Sequence, residues 1–217
     1  VSCYGLSDGS LNISVSGGTS PYSYIWSNGV SIEDLSNLIA GIYTLTVSDI
    51  NNCSYSESIS ITQPSALGLS FNTSNVSCFG INNGAIDLSV SGGTQAFSYI
   101  WSNSETDEDI QNLYAGTYLI SVEDVNGCVI LDSIEIFEPD SIEFNFNIAD
   151  ALCYNDSNGT IKAEISGGNA PYTFIWSNGN SSDSIYNLTA NTYFVTVSDN
   201  NLCENIDSVS ISEPDSI

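Results

Sequence analysis

Apolar and polar residues alternate at every second position through much of this chain, and the alternation returns at fixed intervals. Leu11, Ile13 and Val15 carry it first, Ile86, Leu88 and Val90 again, and Ile161, Ala163 and Ile165 a third time. Tyr22, Tyr24 and Trp26 alternate with Ser23 and Ile25, and Tyr118, Ile120 and Val122 with Leu119 and Ser121. Ile134 and Ile136 follow the same rule. Successive side chains of a strand point to opposite faces, so a two-residue period predicts half-buried strands. No helical stripe competes with it. Ser16-Gly17-Gly18, Asn28-Gly29, Asn83-Gly84 and Asn126-Gly127 punctuate the runs where turns call for positive φ.

The pattern is one unit written three times. Cysteines fall at 3, 53, 78, 128, 153 and 203, and Trp26, Trp101 and Trp176 share the resulting 75-residue period. So do Gly17-Gly18, Gly92-Gly93 and Gly167-Gly168, and Pro64, Pro139 and Pro214, with no insertion or deletion. About six or seven short strands per unit predict an all-β chain, a tandem array of three small immunoglobulin-like antiparallel β-sandwich domains. The prolines set the boundaries: 1–64 for a first repeat lacking its first strand, 65–139, 140–214, and 215–217 as the start of a fourth. Val1 aligns with Val76, which marks a window from a longer array. Trp26, Trp101 and Trp176 belong on the third strand, against the core. Leu38-Ile39-Ala40-Gly41-Ile42-Tyr43 and Leu113-Tyr114-Ala115-Gly116-Thr117-Tyr118 have the form of a tyrosine corner, with Asn191 in place of the glycine in the third copy.

Two cysteines per copy predict one disulfide per domain, since each folded copy must solve its pairing identically. That gives Cys3–Cys53, Cys78–Cys128 and Cys153–Cys203; the 25-residue alternative, Cys53–Cys78, leaves Cys3 and Cys203 unpaired. Reduced buried thiols are the other reading, and zinc a weaker one, with neither His nor CxxC nearby. Disulfides imply an oxidising compartment outside the cytoplasm.

Charge narrows the functions. The 217 residues carry 26 acidic side chains against one basic residue, Lys162, for a formal net charge of −25. Nucleic acid and anionic membrane surfaces are repelled. No long apolar run predicts direct membrane insertion. With no His and no Arg, Ser–His and Cys–His catalytic machinery cannot be assembled. Paired carboxylates remain formally available, yet a small repeated sandwich makes a poor host, so the chain reads as a non-enzyme.

The run Ser16-Gly17-Gly18-Thr19-Ser20-Pro21-Tyr22-Ser23-Tyr24-Ile25-Trp26-Ser27-Asn28-Gly29 is followed by Asp34-Leu35, Ala40-Gly41-x-Tyr43 and Val47-Ser48-Asp49-x-Asn51-x-Cys53. This signature resembles the SprB repeat of gliding-motility adhesins and related surface proteins of Bacteroidota, three times over nearly the whole chain. The second copy departs from it, with Ala96-Phe97 for Pro-Tyr and Ser104 for the turn Gly. The resemblance implies export to the cell surface by the type 9 secretion route, and a stalk or filament role in adhesion. It supplies no catalytic residues. It also gives weight to Asp-Ser-apolar tripeptides as O-glycosylation sites, at Ser133, Ser141, Ser184, Ser208 and Ser216.

Asp-x-Asn precedes the second cysteine of each copy: Asp49/Asn51, Asp124/Asn126 and Asp199/Asn201. Oxygen ligands so spaced could hold Ca²⁺, but Asp and Asn also bond their own backbone in tight loops, and the turn is favoured. No other cofactor is implied. The acidic cluster Glu105, Asp107, Glu108 and Asp109 occurs once, as a solvated loop does. Two functions remain. One is a stiff, acidic stalk whose partners are neighbouring repeats and other copies in a filament. The other is a set of carbohydrate-binding repeats recognising surface polysaccharide through exposed Tyr22 and Trp26 rings. Burial of those rings separates the two.

Overall fold

A computed structural model describes all residues, Val1–Ile217, as seventeen strands with no helix. The first repeat supplies β1 (Gly9–Leu11), β2 (Ser23–Trp26), β3 (Leu35–Leu38), β4 (Gly41–Ser48) and β5 (Ser54–Ile61). The second supplies β6 (Gly68–Ser74), β7 (Gly84–Ser91), β8 (Phe97–Trp101), β9 (Ile110–Leu113), β10 (Gly116–Asp124) and β11 (Val129–Ile136). The third supplies β12 (Glu143–Ala149), β13 (Gly159–Ser166), β14 (Thr173–Trp176), β15 (Ser184–Leu188), β16 (Asn191–Ser198) and β17 (Glu204–Ile211). In the third repeat the sheets run β12-β13-β15 and β14-β16-β17, and the second repeats the scheme as β6-β7-β9 and β8-β10-β11. First, second and fourth strands in one sheet, with third, fifth and sixth in the other, is the immunoglobulin arrangement with one edge strand omitted. The first repeat forms β1-β3 and β2-β4-β5.

By contacts the chain forms two units: 1–72 with 87–108 and 118–134, and 73–86 with 109–117 and 135–217. In the first, Trp26, Leu35, Leu38 and Leu45 are buried together, with Ile13, Tyr24, Val47 and Ile59 half-buried around them. In the second, Trp176, Ile161, Ile185, Val195, Val197 and Ile211 form the centre, and Phe144 and Phe146 of β12 pack on it.

Local chemistry explains the strand ends. Tyr43 and Tyr193 donate from their hydroxyls to the carbonyls of Ile39 and Thr189, at 3.1 and 3.0 Å, so the tyrosine corner is present. Asn191 opens an extended strand and needs no left-handed backbone. The positive φ falls instead on Asn37, Asn112 and Asn187 (57°, 57° and 58°), beside the register shifts of the first sheet in each repeat. Asn is the ordinary residue that best tolerates this region.

The turn after each tryptophan survives the Ser104 exchange. Gly29, Ser104 and Gly179 each donate from the backbone N–H to the tryptophan carbonyl at 2.9 Å, with φ of 85°, 72° and 83°. Ser104 therefore occupies a conformation that disfavours a Cβ. Replacing Ser104→Gly should raise the stability of the whole chain by about 1 kcal/mol, read as a shifted denaturation midpoint.

Candidate functional site: an inter-repeat clasp

Each repeat's two cysteines lie at opposite ends of its sandwich. Val1 donates to the Thr62 carbonyl at 3.0 Å and Gly5 N–H to Gln63 Oε1 at 2.8 Å, which holds Cys3 beside the far end of β5. Cys53 sits immediately before the near end of β5. An eight-residue strand separates them by roughly 25 Å, whereas a disulfide needs Cα atoms within about 7 Å. The third repeat is the same: Asn155 N–H meets Glu213 Oε2 at 2.7 Å beyond β17, and Cys203 precedes that strand.

The expected pairs Cys3–Cys53, Cys78–Cys128 and Cys153–Cys203 are therefore not formed. Cys3 bonds Cys128, and Cys78 bonds Cys203, with Cα atoms 5.7 and 5.5 Å apart. Both bonds span 125 residues and join the first cysteine of one repeat to the second cysteine of the next. Cys53 and Cys153 are free, exposed thiols. One disulfide per domain is thus corrected to one bond across each repeat pair, and the tryptophan cores have no disulfide bridging their own two sheets.

The Asp-x-Asn motifs build the seat for these bonds. Asp124 Oδ1 accepts from the backbone N–H groups of Asn126 and Cys128, both at 2.9 Å, and Oδ2 accepts from Thr94 N–H at 2.9 Å. Asp199 does the same with Asn201, Cys203 and Asn169, and Asp49 with Asn51, Cys53 and Thr19. Oδ1 is thereby engaged by the aspartate's own loop, the turn role that Asp favours, and Oδ2 by the residue after the Gly-Gly pair, 30 positions earlier. No group of three or more acidic or cysteine side chains is placed to hold a metal ion. The asparagine reaches outward. Asn126 Nδ2 donates to the Ser2 carbonyl at 3.2 Å, and Asn201 Nδ2 to the Ser77 carbonyl at 3.1 Å, each beside the cysteine it helps to position.

Two further groups fix the other half of the clasp, a third repeats them beside the free Cys153, and all three escaped the sequence reading. Asp8, Asn83 and Asn158 accept from the backbone N–H of Ser2, Ser77 and Leu152 at 3.1, 3.0 and 3.0 Å. Their 75-residue spacing was the available signal.

Hydrogen bonding decides the charge state of these aspartates. For Asp49 the Cys53 N–H leads in pulling the carboxyl pKa below its ordinary value. For Asp124 and Asp199 burial pushes upward, but three backbone donors outweigh it and the net shift is again downward. A depressed folded pKa contributes stability that is fully present above the unfolded value near 4 and is lost as pH falls through the folded value. Thermal melts followed by circular dichroism should therefore show the midpoint dropping below about pH 4. Asp199→Asn should flatten that acid limb while lowering the midpoint at neutral pH.

The remaining candidate residues separate by exposure. Ser133 and Ser208 are exposed on β11 and β17, and Ser216 is exposed near the C-terminal residue, whereas Ser141 and Ser184 are half-buried. Trp26, Trp101 and Trp176 are buried, and their indole N–H groups donate to the carbonyls of Ile32, Asp107 and Ser182. Tyr22 is half-buried, its hydroxyl on the Gly17 carbonyl at 2.5 Å. The rings do not form an exposed platform.

Among solved structures the chain resembles tandem immunoglobulin domains. The N-terminal eight immunoglobulin domains of Down syndrome cell adhesion molecule align at 12% identity and a TM-score of 0.45, over 89% of this chain and 33% of that one. Immunoglobulin domains 1–5 of Sidekick-1 align at 11% identity and a TM-score of 0.34, over 88% and 52%. A three-domain titin structure aligns at 13% identity and a TM-score of 0.38, over 92% and 90%. The chain thus spans a third to a half of the first two. No curated protein matches it. The SprB repeat model matches at 1–31, 70–106 and 145–181, one segment in each 75-residue unit. The match supports reading the chain as an array of SprB repeats, one in each unit.

Proposed function

We propose that this chain is a load-bearing stalk or filament segment of an exported bacterial cell-surface adhesin, supporting attachment or gliding. The observation that carries the reading is the pairing rule: Cys3–Cys128 and Cys78–Cys203 tie each repeat covalently to its successor. Such bonds do nothing for ligand recognition, but they oppose separation of neighbours under tension. They also persist in oxidising surroundings, as at a cell surface. The repeats at 1–64, 65–139 and 140–214 are the mechanical units, with each other as partners. Burial of the tryptophans favours this role over polysaccharide recognition. Export by the type 9 route and glycans on outward Ser133, Ser208 and Ser216 fit the same setting.

The test is genetic and cellular. Antibodies against the fragment should label intact source cells, and in-frame deletion of the repeats should weaken attachment or gliding. Labelling of lysed cells only, or unchanged adhesion and motility, would overturn the reading. Saturable binding of the isolated fragment on a glycan array would favour the carbohydrate-binding alternative.

A further inference from the structure

We propose that the outer faces of the sheets β8-β10-β11 and β14-β16-β17 are the surfaces by which two copies of this chain associate side by side. The proposal rests on the stalk reading only for its setting, a surface where many copies stand together. Successive side chains of β8, β10 and β11 point alternately to the core and to solvent. Trp101, Ile120, Val122 and Ile136 take inward positions and are buried. Large apolar side chains also take the outward ones: Ile100, Leu119 and Leu131 are 63%, 59% and 72% exposed. One repeat precedes this one and another follows it, and both leave the three side chains uncovered.

The third repeat presents the same three positions as Ile175, Phe194 and Ile206, each 75 residues on and again exposed. Ile175 and Ile206 both pair with Thr196, so they flank the middle strand about 10 Å apart. Phe194 lies two residues before Thr196 on the same face of that strand and completes a triad. The first repeat has Ile25 at the first position but Thr44 and Ser56 at the other two. Their hydroxyls pair across the strands, Thr44 with Ser58 at 2.8 Å and Ser56 with Thr46 at 2.7 Å. The fold therefore does not require apolar residues there, yet two repeats carry them at both positions.

Charge, spacing and area together select a second copy as the occupant. The outward carboxylates on these two faces are Glu123, Glu135 and Glu204, each within two residues of a strand end. The triads themselves can thus meet without bringing carboxylates together, in a chain of net charge −25. Beside them Thr192 and Ser210 satisfy each other at 2.9 Å, so covering the face orphans neither hydroxyl. A second copy carries its two triads at the same separation as the first, and both can engage at once. Three strands about 4.8 Å apart and about six residues long make a face of roughly 300 Å². One pair of faces would bury about 600 Å², the scale of a chance contact, whereas two pairs bury about 1,200 Å², enough for a specific interface.

The experiment is analytical ultracentrifugation of the whole oxidised chain, with Cys53 and Cys153 alkylated so that no new disulfide can form. A reversible dimer is expected, dissociating on the order of 10–100 µM at about 0.15 M salt. Lowering the salt to about 0.01 M should weaken it several-fold, because the carboxylates elsewhere on the chain are then unscreened. Leu131→Ser and Ile206→Ser should each weaken it at least about tenfold. Adding Leu119→Thr and Phe194→Thr to that pair should leave monomer only. These are the first repeat's own residues at the same positions, so the sheets should still form, as circular dichroism checks. Leu152→Ser removes an equally exposed side chain outside both sheets, where the other repeats have Ser2 and Ser77, and should leave the dimer unchanged. A chain that stays monomeric to about 500 µM overturns the proposal. So does a dimer that survives the four substitutions or is lost equally with Leu152→Ser. A monomer whose triads take up a neutral polysaccharide would assign the faces to a glycan, and overturns it too. Adhesion of cells lacking the repeats is a separate measurement, so this proposal and the stalk reading can fail independently.

Discussion

Stretched between Cys3 and Cys203, the oxidised chain should extend to only about a quarter of the length that it reaches after reduction. Cys3 and Cys203 are separated by 200 residues, or roughly 680 Å of taut backbone. The two disulfides overlap, since Cys78 lies inside the 3–128 loop and Cys128 inside the 78–203 loop. The shortest covalent path then runs from Cys3 across to Cys128, back through 50 residues to Cys78, and across to Cys203, about 170 Å in all. Single-molecule pulling with and without reductant measures the difference directly. Three bonds within repeats would leave a taut path of the same length, so cysteine variants decide the topology. Cys53→Ser and Cys153→Ser should leave the oxidised extension unchanged; lengthening in either would restore the intramodular scheme. In solution, closing one 125-residue loop should contribute about 5 kcal/mol by the chain-entropy argument, so reduction should also lower the melting temperature sharply. In a longer array, the same rule leaves 25 residues between one bond and the next, such as Cys128 to Cys153, and tension would largely bypass the folded modules.

The pairing shows where sequence reasoning stopped. The period was plain, and with it the strands, the buried tryptophans and the tyrosine corner, because these are short-range consequences of alternation and turn chemistry. Pairing by repetition was sound as well, for the two bonds are copies of each other. What failed was the preference for a scheme that leaves no cysteine over. Two cysteines in one repeat need not be neighbours, and here a whole strand divides them, a fact that belongs to the topology of the sandwich rather than to residue spacing. The strand order contained the answer: the first cysteine follows the first strand, the second lies between the fifth and sixth, and those connections fall at opposite ends.

The aspartates were half legible. Asp49, Asp124 and Asp199 hold loops by backbone hydrogen bonds, as Asp does in tight turns. That Asn126 and Asn201 would reach a carbonyl of the preceding repeat could not be read from either repeat alone. Likewise Asn37, Asn112 and Asn187 recur at one period, yet their positive φ depends on a register shift that alternation does not encode.

The close backbone approach at the entry to β12 gives the largest expected effect of a single small substitution. Gly167 has φ of 73°, and a Cβ there would overlap the Ser141 carbonyl oxygen at 1.8 Å and its carbon at 2.8 Å. These are backbone atoms, so no rotamer change relieves the overlap. The segment entering β12 would have to move, and with it Ile142, which is 6% exposed in the third repeat's core. The left-handed cost of about 1–2 kcal/mol adds to an overpacking cost of about 1–3 kcal/mol. Gly167→Ala should therefore lose roughly 3 kcal/mol or more, and Gly92→Ala, facing the Ala66 carbonyl at 1.9 Å, should match it. Gly17→Ala meets no atom within 4 Å and should lose only the conformational part, about 1 kcal/mol. Denaturant titrations of the three variants compare one substitution in one sequence motif, with and without a backbone carbonyl against the new Cβ. Equal losses at all three positions would show that φ alone sets the requirement for glycine, and that the close approach of the strand does not.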